Sequence, residues 1–208
     1  MKETAERDRY HHGDLRAALL AAAETELSEK GVEGFTLRGC AKRAGVSHAA
    51  PAHHFGDADG LLTALAAEGF QRFTWAMRTR QAMAPKGGWT PLEAAGLGYL
   101  DFSAANPAMF RLMFSSARPR FDDPSLSPAA EEAFGVLVEA VTDARGANPW
   151  ADAQGPADVA AAWALAHGMA DLLMSGRLKF LNVEAGPQRD KVLAGVLARL
   201  LLEAPSAS

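Results

Sequence analysis

The chain is predicted to be all-α, with an N-terminal three-helix unit built on a helix-turn-helix and a larger helical bundle after it. Three observations predict this. Alanine and leucine dominate the 208 residues and β-branched residues are sparse, a balance that favours helix over strand. Apolar side chains recur at helical spacing between breaks at Gly and Pro, which marks amphipathic helices. Finally, Thr36–Phe55, TLRGCAKRAGVSHAAPAHHF, reads as helix, tight turn, helix.

The elements follow in order. Lys2–Arg9 is a charged stretch that reads as a mobile, solvated arm. From Asp14 the pattern turns helical: Leu15, Leu19, Ala22, Ala23 and Leu27 form one stripe, which ends at Lys30-Gly31. Thr36 is placed to cap the next helix, because its hydroxyl can accept a hydrogen bond from a first-turn N–H. Leu37, Cys40, Ala41 and Ala44 give that helix a small apolar face, and Gly45 suits its left-handed end. Val46 plugs the turn, and Ser47 caps a short second helix over His48–His54. Ala41 and Gly45 are small enough for the two helices to cross closely. Pro51 is the fourth residue after the Ser47 cap and has no N–H to give the Ser47 carbonyl, so the first turn should loosen or tilt. Cys40 reads as a buried, small apolar side chain.

Asp57 then caps a long helix over about Ala58–Met83, with Leu61, Leu62, Leu65, Phe70, Phe73 and Met77 on its apolar faces. Pro85-Lys86-Gly87-Gly88 ends it. Thr90-Pro91 opens the following helix, with Pro in the first turn, and Asn106-Pro107 is a break and restart before AMFRLMF. The aromatics and methionines here fit either ordinary core or an adaptable apolar cavity. Arg118–Leu126 is a loop, and Ser127-Pro128 starts a helix with Phe134, Val138 and Val141. After a loop over Gly146–Pro156, a strongly apolar helix begins at Asp158 and stops around Gly186-Pro187. A last helix spans Pro187–Glu203, with Val192, Leu193, Val196, Leu197, Leu200 and Leu201. Helices apolar nearly all round are buried on more than one face, so these two imply a second copy of the chain, packed as a four-helix interface over about 158–203.

Composition limits the function classes. No apolar run reaches the length of a bilayer span, and the polar start MKETAERDRYHHGD has no signal-peptide core. With one cysteine no intrachain disulfide can form. A soluble cytoplasmic protein is expected, without a membrane partner. The net charge of −4 is unevenly placed: residues 1–55 hold eight Lys/Arg and eight Asp/Glu, so the remainder carries the whole excess. Five of the six histidines also lie in that first part. The sign of the asymmetry fits a nucleic-acid-facing end and a solvated regulatory end. The pairs His11-His12 and His53-His54 lack metal-ligand spacing. No Gly-rich phosphate loop or nucleophile triad is present, so neither an enzyme nor a metal or cofactor is expected.

Four blocks resemble the TetR family of one-component transcriptional regulators: YHHGDLR at Tyr10–Arg16, GFTLRGCAKRAGVS at Gly34–Ser47, APAHHFGDADGLL at Ala50–Leu62 and AWALAHG at Ala162–Gly168. The last is similar to the branch named for Trp, His and Gly in its C-terminal domain, here Trp163, His167 and Gly168. The resemblance implies a DNA-binding domain over 1–56 and an effector-binding and dimerisation domain over 57–208. It implies a homodimer on a near-palindromic double-stranded operator, acting as a repressor released by a small-molecule effector. The residues expected at DNA are Thr36, Arg38, Ser47, His48, Ala49, Ala50, His53 and His54. Those expected to wall an effector pocket are Phe70, Phe102, Phe110, Met113, Trp163 and His167. His167 lies one turn after Trp163 and one turn before Asp171, so it is read either as a buried histidine bonded to a carboxylate or carbonyl, or as the polar group of that pocket. Two positions depart from the family pattern: Ala52 stands where an aromatic is usual and Ala58 where a Lys is usual. Both commonly bind phosphates, so fewer backbone contacts and a shallower salt dependence are expected. The alternative reading is a helical small-molecule-binding protein whose helix-turn-helix is vestigial.

Overall fold

The computed structural model describes the backbone of residues 2–181 and 186–199, with side chains over 15–181, 186 and 188–199. These residues form nine α-helices, one short 3₁₀ turn and no strand. The helices are α1 Lys2–Lys30, α2 Leu37–Ala44, α3 Ala50–Phe55, α4 Ala58–Ala82, α5 Pro91–Ala105, α6 Pro107–Ser115, α7 Ser127–Arg145, α8 Gly155–Met174 and α9 Pro187–Leu197. The chain divides into two compact units, Met1–Gly69 with Ala108–Ala129, and Phe70–Pro107 with Ala130–Ser208.

In the first unit, Leu19, Leu20, Ala23 and Leu27 of α1 are buried, as are Cys40 and Ala41 of α2 and Leu61, Leu62 and Leu65 of α4. Helix α1 packs on α2, and α2 on α3. One expectation fails at the start of the chain: Lys2–Arg9 is not an arm, since α1 begins at Lys2. Lys, Glu, Ala and Arg are good helix formers, and propagating an existing helix is easier than nucleating one. The turn after α2 is as expected. Gly45 takes φ 67, its N–H donates to the Lys42 carbonyl at 3.3 Å, and the Val46 N–H reaches back to the Ala41 carbonyl at 3.1 Å. That pair is a Schellman motif, which needs a residue tolerant of the left-handed region.

The second helix of the motif differs from expectation. It runs over Ala50–Phe55, two residues later than predicted, with Ala49 at its N-cap and no side-chain cap bond. Ser47 is therefore not its cap. Pro51 supplies the reason: it cannot donate to the Ser47 carbonyl, which instead accepts from the Ala50 N–H at 3.1 Å. Three-residue closure tightens the chain into a turn, and regular α-helix begins only beyond it.

In the second unit α5 packs on α8 and α9. Its start is a capping box: Thr90 Oγ1 accepts from the Glu93 N–H at 3.2 Å, and Glu93 Oε2 accepts from the Thr90 N–H at 2.7 Å. Gly98 lets α5 approach α4 closely, since a Cβ there would fall 2.6 Å from the Ala76 carbonyl oxygen. Arg80, Asp101, Arg189 and Asp190 form an ion-pair network that joins α4, α5 and α9. Helix α8 starts at Gly155, because Asp152 Oδ1 accepts from the Gln154 and Gly155 N–H groups at 2.9 and 2.8 Å. It stops at Met174, well short of Gly186. Gly176, at φ 69, allows the Arg177 N–H to close on the Leu172 carbonyl at 2.8 Å, the same ending as α2. Of the last helix, Leu200, Leu201 and Glu203 lie outside the described residues.

Candidate nucleic-acid interface and effector site

The helix-turn-helix is held from behind by one buried carboxylate. Glu26 of α1 is buried. Its Oε2 lies 2.7 Å from Arg43 Nε, and its Oε1 accepts from the Thr36 hydroxyl at 3.4 Å. Arg43 also forks onto Glu29, with Nη1 at 3.1 Å from Oε1, a bidentate geometry that only a guanidinium offers. The pair draws the Glu29 carboxyl below the usual carboxylate range. Thr36 caps α2 as expected, accepting from the Gly39 N–H at 3.0 Å. Arg43 is thus paired into the fold although exposed, and Arg38 and Lys42 are the other exposed cations of α2. Cys40 is fully buried. Burial and the nearby Glu26 push its thiol up to about 11, which makes it inert as a thiolate.

On the motif's outer side, Ser47, His48, Ala49, Ala52 and His53 are exposed, while Ala50 and His54 are half-buried. His54 lies against Phe55, ring centroids 6.2 Å apart. Arg16 of α1, a residue not singled out in the sequence, stacks over the same C-terminal end of α3, its Cζ 5.4 Å from the Phe55 ring centroid. The structure therefore brings Ser47, His48, Ala49 and His53 to one accessible segment. Thr36 and Arg38 are exposed at the start of α2.

The six residues expected around an effector are divided between the two units: Phe110 and Met113 in the first, Phe70, Phe102, Trp163 and His167 in the second. Phe70, Phe102, Phe110 and Met113 are buried. His167 Nδ1 lies 2.8 Å from the Tyr99 hydroxyl of α5, so a phenol is one of its partners. Burial pushes the Tyr99 phenol well above its usual range, opposed by a hydrogen bond with Trp163. The Tyr99 hydroxyl thus joins Trp163 and His167 in one polar cluster. Phe73 packs edge-on against both Tyr99 and Phe102, at 4.8 and 5.3 Å between centroids. Tyr99 is the residue sequence reading did not assign to the site.

Among the described residues no group of His, Cys, Asp and Glu is arranged to hold a metal, and no helix is long and apolar enough to cross a membrane.

Comparison with known proteins bears on both ends of the chain. Residues 19–65 match the family described as bacterial regulatory proteins, tetR family. Residues 92–200 match the tetracyclin repressor-like, C-terminal domain. The HTH-type transcriptional regulator BetI of Burkholderia cenocepacia (strain HI2424) is 31% identical over 188 residues, covering 77% of this chain and 94% of that protein. A Rhodococcus sp. RHA1 protein of unknown function has a similar structure, with TM-score 0.72, 33% identity and coverage of 92% and 95% of the two chains. The putative regulatory protein SCO4313 shares the fold at TM-score 0.71 and 20% identity, over 93% and 98%. With a tetR-type helix-turn-helix at one end and a repressor-like helical domain at the other, the chain belongs to the TetR family of transcriptional regulators.

Proposed function

We propose that the protein is a homodimeric repressor that leaves a near-palindromic operator when a small molecule binds its second domain. Residues 1–56 act as the DNA-binding head and 57–208 as the effector-binding and dimerising part, in the cytoplasm, with no catalytic step. Trp163, His167 and Gly168 support a place in the branch with the Trp-His-Gly C-terminal domain. The observation that carries the reading is the accessible segment Ser47–His53, set on a short helix whose back is fixed by Pro51 and by the α2 packing.

At DNA, His48 and His53 meet bases or phosphates. Ala49 and Ala50 offer at most contact with a thymine methyl. Arg38, Thr36, Ser47 and His54 stand at the backbone. In the second domain Trp163 and His167 orient the effector, with Phe70 and Phe102 as apolar wall. The dimer forms through α8 and α9. What supports this is an exposed apolar pair: Trp163 of α8 is 43% exposed and Phe134 of α7 40%, with their ring centroids 6.1 Å apart. Large apolar groups left exposed together mark an association surface. Effector binding favours a dimer whose heads are wrongly spaced, and the coupling equals the ligand's preference for that spacing, about 1–3 kcal/mol.

The test is a gel shift with duplex selected on the wild-type protein. Ser47→Ala combined with His53→Ala should abolish the shift and leave the dimer intact by sedimentation. Unchanged binding, or a wild type that retains no duplex at moderate salt, would favour a ligand-binding protein with a vestigial helix-turn-helix.

A further inference from the structure

The loop between α6 and α7 touches the head at several points, all inside the first unit. Arg118 Nε lies 2.7 Å from Asp59 Oδ1, and its Nη1 donates to the Val32 carbonyl at 2.8 Å. The Arg120 backbone N–H donates to Thr63 Oγ1 at 3.0 Å, and its guanidinium meets Asp57 Oδ2 at 2.6 Å. Val32 lies between α1 and α2, Asp57 between α3 and α4, and Asp59 and Thr63 in the opening turns of α4. One loop therefore holds both connections that flank the helix-turn-helix. Asp57 is itself the cap of α4, accepting from the Gly60 N–H at 2.8 Å.

The other end of the loop is α6, which lies hard against α4. A Cβ at Gly69 would fall 2.7 Å from Met113 Sδ and 2.9 Å from Met109 Sδ. Helix α6 ends at Ser115, directly before the loop, so a shift of the helix reaches Arg118 and Arg120 through the chain itself. Arg118 binds a carboxylate and a carbonyl through different nitrogens of one planar fork, so it fixes direction as well as distance. The pairs are partly exposed and individually weak, which suits a contact that must hold the head and still yield.

We propose that residues 116–126 are a strap that carries displacement of α6 to the helix-turn-helix, with Arg118 and Arg120 as positioning residues. The proposal rests on the DNA-binding reading above. It needs no part of the second unit.

The experiment uses the full-length protein and the duplex selected on the wild type. Arg118→Ala with Arg120→Ala should weaken binding about tenfold, within the usual range of conformational coupling, without changing the slope of log K against log salt. Amide exchange should quicken at 32–36 and 57–63 and stay unchanged in α8. Arg118→Lys should recover part of the affinity. Removing the exposed Arg78–Glu139 pair of the second unit by Glu139→Gln should leave binding alone. Wild-type affinity in the double variant would overturn the proposal. So would a salt slope flattened by about 0.9 per protomer for each arginine removed, which would make the arginines phosphate ligands, or exchange that quickens everywhere alike. If the wild type binds no duplex, the DNA-binding reading fails instead, and the exchange pattern still decides the strap.

Discussion

Gly39 stands so close to Glu26 that a Cβ added to it would lie 2.0 Å from Oε1 of that carboxylate. The glycine is what lets a charged, buried side chain of α1 reach between α2 and Arg43. Its place in the sequence, three residues after a helix cap, otherwise looks like a weak point in a short helix.

Gly39→Ala tests this. Alanine gains up to about 1 kcal/mol of helix propensity over glycine, but the overpacking costs about 1–3 kcal/mol and displaces Glu26 from Arg43. The net expectation is a loss of about 1–2 kcal/mol by chemical denaturation. A variant as stable as the parent, with α2 intact, would mean the carboxylate moves aside at no cost.

Tyr99→Phe removes the hydroxyl that lies 2.8 Å from His167 Nδ1 and is hydrogen-bonded with Trp163. The apolar ring is kept, so the expected loss is that of partners left unpaired, about 1–3 kcal/mol, at the low end because Trp163 is partly exposed. Nitrogen chemical shifts of His167 should also move, since Nδ1 loses its phenol partner. Unchanged shifts with unchanged stability would contradict the contact.

What was legible in the sequence divides along the same line as these two cases. Thr36, Gly45, Asp57 and the Thr90-Pro91 start are read correctly because a cap bonds within four residues of itself, so its chemistry is local. Ser47 misled because a good cap residue is only an opportunity, and Pro51 four residues on withdrew the N–H that would have used it. The end of α8 was placed at Gly186 because Gly176 sits inside an apolar run, where a glycine reads as tolerated. The partners of Arg43, His167 and Arg118 were invisible: they stand 17, 68 and 59 residues away, and nothing local marks such a pair. The candidate DNA-facing segment was therefore foreseeable, whereas Tyr99 and the strap were not.

Arg145 is buried at the end of α7 and is paired with Asp158 and Asp152. Arg145→Met leaves the Asp158 carboxylate buried without its counter-charge, so a loss of about 3–5 kcal/mol is expected. Adding Asp158→Leu should restore most of it, since an apolar pair of similar volume avoids the desolvation of both ions. If the double variant is no more stable than the single one, the ion pair is not the source of the loss.

Acid should weaken the first unit through Asp57. The Gly60 N–H, and after it Arg120, hold this carboxyl below its usual range. A carboxyl lowered on folding stabilises above its unfolded pKa, about 3.9, and loses that contribution as pH falls through the folded value. Stability followed downward from pH 5 should therefore drop, and Arg120→Ala should make the drop shallower. An equal drop in the variant would remove Arg120 as a cause.

The central claim is that two copies of the chain present their α3 segments to successive major grooves. Hydroxyl-radical footprinting of the wild-type dimer on its selected duplex tests it most directly. The account predicts two protected half-sites related by a dyad, their centres about 34–36 Å apart, both lost together in the His53→Ala variant. A single protected half-site, or a footprint indifferent to His53, would contradict it.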